Sequence, residues 1–256
     1  MSPQMKPVGE LIYSASQMIR EEGTFQFASK ATWYIVGDFR RLLLPRYIKK
    51  ISMQNGNWIE FALTLNYYGL SIAPMQIKSE IEKLMNIVES KRPKRVLEIG
   101  TYNGGTLFLF CKFSEPGALI ISVDLPKGEY GGGYPDWKVP LFQSFKQKNQ
   151  FLHLVRADSH SYKTKQHLER ILDGRKLDLL FIDGDHSYEG VKKDFDMYSS
   201  FVDKGGIIAL HDIVTHPLEK NCHVDSLWKE LKQTYECTEI VQNANQGWGG
   251  IGLVHF

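Results

Sequence analysis

The chain has 256 residues, of which 43% are hydrophobic and 23% charged, with a formal net charge of +2. That length holds one large α/β domain with a modest extension, and so balanced a charge excludes the basic surface that nucleic-acid binding needs. Three cysteines with no CxxC spacing argue against a disulfide framework; no run approaches the roughly 18 apolar residues of a membrane span, so the expectation is a cytoplasmic protein.

Upstream of Arg95 the apolar residues recur at three- and four-residue spacing. This predicts helices over Leu11 to Glu22, Phe25 to Tyr34, Trp58 to Tyr67 and Met75 to Ser90, punctuated by Pro45 and by the Asn55-Gly56-Asn57 cluster. From Arg95 onward, apolar runs alternate with amphipathic segments. The predicted strands are 96–99, 118–123, 151–155, 177–182 and 206–211, with a helix near Pro140 to Lys148 among the connections. Such alternation implies a parallel sheet covered on both faces by right-handed crossovers. The ending differs: a helix near Val224 to Lys232, a strand at 237–241, the turn NQGWGG and a strand at 251–256 predict an antiparallel hairpin at the sheet edge.

The run VLEIGTYNGGT, Val96 to Thr106, carries the most information. An apolar strand ends, and the chain turns through Gly100 and Gly104 into a helix, which builds a floor for a charged small molecule at the carboxyl edge of the sheet. The spacing is G-x-x-x-G rather than the G-x-G-x-x-G of nicotinamide enzymes, and it points toward S-adenosylmethionine, which has no pyrophosphate to cradle. The closing hairpin argues against a nicotinamide oxidoreductase as well.

Five segments at successive predicted strand ends, VLEIGTYNGGT, SVDLP, RADSHS, LLFIDGDHSYEGVKKDF and GGIIALHDI, resemble a class I S-adenosylmethionine-dependent methyltransferase. The resemblance is strongest to the bacterial group of cephalosporin hydroxylase-like and sugar or macrolide O-methyltransferase proteins. It implies a Rossmann-like α/β fold with a seven-stranded, mainly parallel sheet and a C-terminal antiparallel hairpin. The domain is expected over 75–256, with a helical N-terminal extension over 1–74. The implied activity is methylation of an oxygen on a small-molecule or glycosidic acceptor, either unaided or with divalent-metal assistance. The rival is a non-catalytic S-adenosylmethionine-binding or scaffold protein of glycan biosynthesis.

On this resemblance Glu98 and the turn from Gly100 through Thr101, Tyr102 and Asn103 to Gly104 bracket the amino-acid end of the cofactor. Asp124, with Leu125 beside it, meets both ribose hydroxyls, and Asp158 with Ser159 meets the adenine. Asp183 closes the fourth strand, where cofactor and acceptor come together. His186 follows it at the spacing at which catechol-type enzymes place a basic lysine, and an imidazole can take a proton from a hydroxyl at neutral pH. His211 is a second candidate base. Asp183 and Asp212, with His211 as a further donor, are the expected ligands for Mg²⁺ or another divalent cation, although His211 replaces an acid of the related pattern and imidazole suits softer ions. Ser187 reads as a helix cap, and His160, His167 and His216 as surface or structural side chains.

The loop 127–137 combines glycines with Tyr130, Tyr134 and Trp137, which suits either a lid stacking on a ring or a surface loop with its aromatics tucked back. Residues 1–50 carry eight basic side chains against four acidic ones. That balance favours a helical cap or an arm for a homo-oligomer, with a peripheral contact of residues 25–50 on an anionic membrane as the second reading.

Overall fold

The computed structural model describes residues 40–50, 56–127, 133–243 and 245–256. The helices expected at Leu11 to Glu22 and Phe25 to Tyr34, and Tyr130 of the glycine-rich loop, lie outside them. Seven strands form one sheet: β1 Arg95–Ile99, β2 Leu119–Asp124, β3 Phe151–Arg156, β4 Leu177–Ile182, β5 Val202–His211, β6 Glu236–Ile240 and β7 Ile251–His255. Their order across the sheet is β3-β2-β1-β4-β5-β7-β6. The first five are parallel, and β7 runs antiparallel between β5 and β6. The expected hairpin is present, with its second strand inserted toward the core. Residues explain that choice, because β7 is almost wholly buried while β6 exposes three of its five residues.

The helices are α1 (residues 40–50), α2 Trp58–Thr64, α3 Lys78–Lys91, α4 Gly105–Phe113, α5 Lys138–Gln143, α6 Tyr162–Leu172, α7 Tyr188–Tyr198 and α8 Val224–Thr234. Alternation along the strands divides the core. Val96, Ile120, Phe181 and Ala209 face a layer made by α1 to α4, whereas Leu97, Ile121, Leu180 and Ile208 face α6 to α8. On the second face Trp228 lies against Gly252, where any side chain would overlap the indole.

Some boundaries differ from the sequence reading. Pro45 does not interrupt α1, whose Leu44 and Ile48 are fully buried one turn apart. The helix expected at Trp58 to Tyr67 stops at Thr64, and Asn57 caps its start by accepting from the Glu60 amide. The helix expected at Pro140 to Lys148 is instead Lys138–Gln143, which places Pro140 in the first turn, where its missing N–H costs nothing.

Pairing aligns the carboxyl ends of four strands. Ile99 pairs with Val123 and Ile182, and Ile182 with Leu210, so Gly100, Asp124, Asp183 and His211 emerge side by side. The chain reverses its winding direction between β1 and β4, and ligand crevices in open α/β sheets form at such a reversal.

Candidate functional site

The turn after β1 is shaped by glycine. Gly100 has φ +91°, and a Cβ there would overlap the Asp183 carbonyl. Gly104 adopts the same φ and lies against the Phe142 ring, so the loop must run flat between two strands before α4 begins. Beneath it Glu98 is fully buried and accepts from Thr106 Oγ1 at 2.5 Å and Ser122 Oγ at 2.8 Å. Burial pushes its carboxyl up to about 8, against the pull of those two hydroxyls. Glu98 borders neither of the two clefts at this edge, so it stands as a protonated prop under the turn rather than at the cofactor end where the sequence placed it.

One cleft, of about 330 Å³, runs along the carboxyl ends of β1, β2 and β3. Gly100, Tyr102, Asp124, Leu125, Asp158 and Ser159 all line it, as the sequence grouped them. Asp124 accepts from the amides of Thr101 and Tyr102 at 2.8 and 2.9 Å, both on Oδ2. A carboxylate has about four acceptor positions, so two remain for ribose hydroxyls. His160, read from sequence as having no role, lines the same cleft and pairs with buried Asp194 at 3.3 Å. Tyr134 is buried against Phe142 and under the Arg156 guanidinium, which fits the tucked-back reading of the 127–137 loop for that residue.

A second cleft, of about 720 Å³, opens on the other side of the turn. The two share Gly100, Tyr102 and Asp183. Thr101 and Asn103 line the second, as do Met75, Tyr102 and Trp248, three large apolar side chains left exposed on the protein surface. A buried acid on α3 holds this wall: Glu80 accepts from the amides of Gln242 and Gly250 and from Gln246 Nε2, at 2.8 to 2.9 Å, and so pins the glycine-rich turn that carries Trp248.

The polar floor of this cleft gathers residues from three strand ends. Asp183 accepts from Gln76 Nε2 at 2.7 Å on one oxygen and lies 3.0 Å from His211 Nδ1 on the other. His211 is 4% exposed and lines the cleft, and its Nε2 has no hydrogen-bond partner. Burial opposes charging of this ring, but Asp183 and Asp212 outweigh it and hold the pKa above the usual histidine value. His186 stands between two carboxylates, 3.2 Å from Asp212 Oδ2 and 3.5 Å from Asp183 Oδ1. Burial opposes its charged form too, yet Asp183, Cys222 and Asp212 push it up to about 11, so with no cation beside it the ring favours its charged form. That departs from the expected free base at His186. His216, also read as structural, lies 3.3 Å from Asp212 Oδ1 and lines the cleft.

The expected set of Asp183, Asp212 and His211 does come together, with ligand atoms within 4.8 Å of one another, but its surroundings suit magnesium poorly. Both Asp183 oxygens are taken by N–H donors, and Asp212 Oδ1 accepts from Gly249 at 3.0 Å. A hard ion wants oxygen on nearly every position, and here nitrogens surround the carboxylates.

Residues 97–213 match a family model described as a methyltransferase domain. An uncharacterized protein of Acanthamoeba polyphaga mimivirus is 32% identical over 143 residues, covering 52% of this chain and 57% of that protein. Another from Sinorhizobium fredii is 29% identical over 150 residues, covering 57% of this chain and 16% of that much longer protein. The chain thus matches less than two thirds of either relative. Among solved structures, an O-methyltransferase from Bacillus cereus in complex with SAH superposes with a TM-score of 0.57 at 14% identity, covering 82% of this chain and 96% of that one. A putative O-methyltransferase from Klebsiella pneumoniae gives 0.54 at 16% identity with the same coverage. At these identities the likeness is one of fold.

Proposed function

We propose that the chain, whose residues 97–213 match a methyltransferase-domain model and whose sheet has the β3-β2-β1-β4-β5-β7-β6 order, transfers the methyl of S-adenosylmethionine to a hydroxyl oxygen of a small, ring-bearing or glycosidic acceptor. One observation carries this reading: Asp183 borders both clefts and holds His211, a residue of the larger cleft whose far nitrogen is buried in the wall without a hydrogen-bond partner and reaches an acceptor once the ring or the wall shifts.

The cofactor belongs in the smaller cleft. A ribose hydroxyl meets Asp124 and the adenine lies by Asp158 and Ser159, while the carboxylate reaches past Gly100 and Tyr102, which border both clefts, toward the amides of Gly105 and Thr106 that open α4 on the larger one. Asp183 borders both clefts, so a donor held in the smaller one would present its methyl group to an acceptor in the larger. Tyr102 and Trp248 offer flat surfaces to an acceptor ring, and Gln76 and Asn103 offer polar contacts.

The sulfonium is already a reactive donor, so the protein aligns the partners and removes a proton. Asp183 accepts the Nδ1–H of His211 and fixes the tautomer, while Gln76 fixes Asp183. Nε2 takes the acceptor's hydroxyl proton as its oxygen attacks the methyl carbon. The carbon–sulfur bond breaks, S-adenosylhomocysteine leaves uncharged, and the proton remains on His211. Transfer of labelled methyl from S-adenosylmethionine to phenolic, sugar and macrolide acceptors tests the proposal; a protein that binds the donor and methylates none of them is the non-catalytic alternative.

A further inference from the structure

We infer that His186, Asp212 and Cys222 form a binding site for a thiophilic divalent cation such as Zn²⁺. The three side chains come from the segment after β4, the end of β5 and the segment after the short 3₁₀ turn Leu218–Lys220. Their ligand atoms lie within 4.8 Å of one another. Two ligands of a tetrahedral zinc ion, at bonds of roughly 2.0 to 2.3 Å, stand about 3.3 to 3.8 Å apart, so a shift of about 1 Å or less brings all three onto one ion.

The spacing is also compatible with ligation. Charge-assisted N–H to carboxylate contacts run at about 2.7 to 2.9 Å, whereas adjacent ligands of a tetrahedral ion stand about 3.3 Å apart. His186 Nδ1 and Asp212 Oδ2 are 3.2 Å apart. By contrast, the Asp183–His211 contact at 3.0 Å is an ordinary hydrogen bond and lies outside the ligand set. Cys222 is buried, and the His223 amide donates to the His186 carbonyl at 2.8 Å, tying the thiol's segment to the imidazole's. Asp212 holds its carboxylate in place with φ +65°, unusual for a non-glycine residue.

Thiol, imidazole and a single carboxylate form a soft donor set that selects zinc, or cobalt in its place, over magnesium. Three protein donors leave a tetrahedral ion one open position. His186 and Asp212 both line the larger cleft, so that position faces the acceptor. The ion would also fasten segment 213–223, which supplies His216, Pro217 and Lys220 to the cleft wall, to the sheet edge.

The test is titration of the full-length, chelator-treated protein with Co²⁺, read by the near-ultraviolet thiolate-to-cobalt absorption band, with S-adenosylmethionine binding measured on the same samples. The wild type should develop the band at one equivalent, Zn²⁺ should abolish it, and a large excess of Mg²⁺ should leave it. Cys222→Ser should lose the band, Cys237→Ser should keep it, and His186→Gln should weaken cobalt affinity by roughly tenfold or more. No cobalt binding, or a band that survives Cys222→Ser, overturns the site. Cobalt binding without S-adenosylmethionine binding overturns the methyltransferase reading and leaves the metal site standing.

Discussion

Asp183 Oδ1 and His211 Nδ1 lie 3.0 Å apart, and the far nitrogen of that buried ring has no partner. An acid that fixes one nitrogen leaves the other to exchange a proton with whatever enters the larger cleft. His211→Gln should therefore lower kcat by about 10²- to 10⁴-fold while leaving the dissociation constant of S-adenosylmethionine unchanged. Steady-state kinetics paired with calorimetry decides it; a kcat within a few-fold of wild type removes His211 as the base.

Glu98 gives a prediction about pH. Burial raises its carboxyl in the folded state from the ordinary 4.5 to about 8. A raised carboxyl binds its proton more tightly when folded, so its stabilising contribution is complete below pH 4.5 and fades as pH climbs toward 8. Glu98→Gln should flatten the fall in melting temperature between pH 5 and pH 8, and the variant should gain on the wild type toward the alkaline end. Parallel melting curves across that range would speak against a protonated Glu98.

Gly100→Ala should cost about 3 kcal/mol or more in unfolding free energy, because the residue needs φ +91° and its Cβ would overlap the Asp183 carbonyl. Denaturant titration measures this. A loss under about 1 kcal/mol would mean the turn relaxes without disturbing Asp183.

Glu80→Ala leaves the amides of Gln242 and Gly250 and the side chain of Gln246 without their acceptor. The turn bearing Trp248 should loosen, raising KM for the acceptor several-fold with donor affinity unchanged, at a stability cost of about 2 kcal/mol. An unaltered acceptor KM would show that Glu80 does not govern the wall.

Strand ends were legible in the sequence because a parallel sheet buried on both faces writes its strands as apolar runs, and four of the five parallel runs here stop directly at a glycine or an acid. Asp124, Asp158, Asp183 and His211 could be placed at one edge for that reason. Contacts across the fold could not. Glu80 looks like a solvent-facing position of an amphipathic helix until the last hairpin folds over it, and it is 1% exposed. Gln76 lies 107 residues before the carboxylate it holds. His186 and His211 carry the same residue type beside the same acids, and only geometry tells them apart: one is enclosed by two carboxylates, the other keeps a nitrogen unpartnered. Cys222 and His216 sit in a segment with no periodic pattern, so their approach to Asp212 had no signal to read.

The most direct measurement is calorimetric titration of the wild-type protein and Asp124→Ala with S-adenosylmethionine. A donor seated in the cleft along β1, β2 and β3 should bind the wild type at one equivalent, and truncating Asp124 should weaken that binding by tenfold or more, since about 1.4 kcal/mol of interaction corresponds to each factor of ten. No binding to the wild type, or equal affinity for both proteins, would contradict the account.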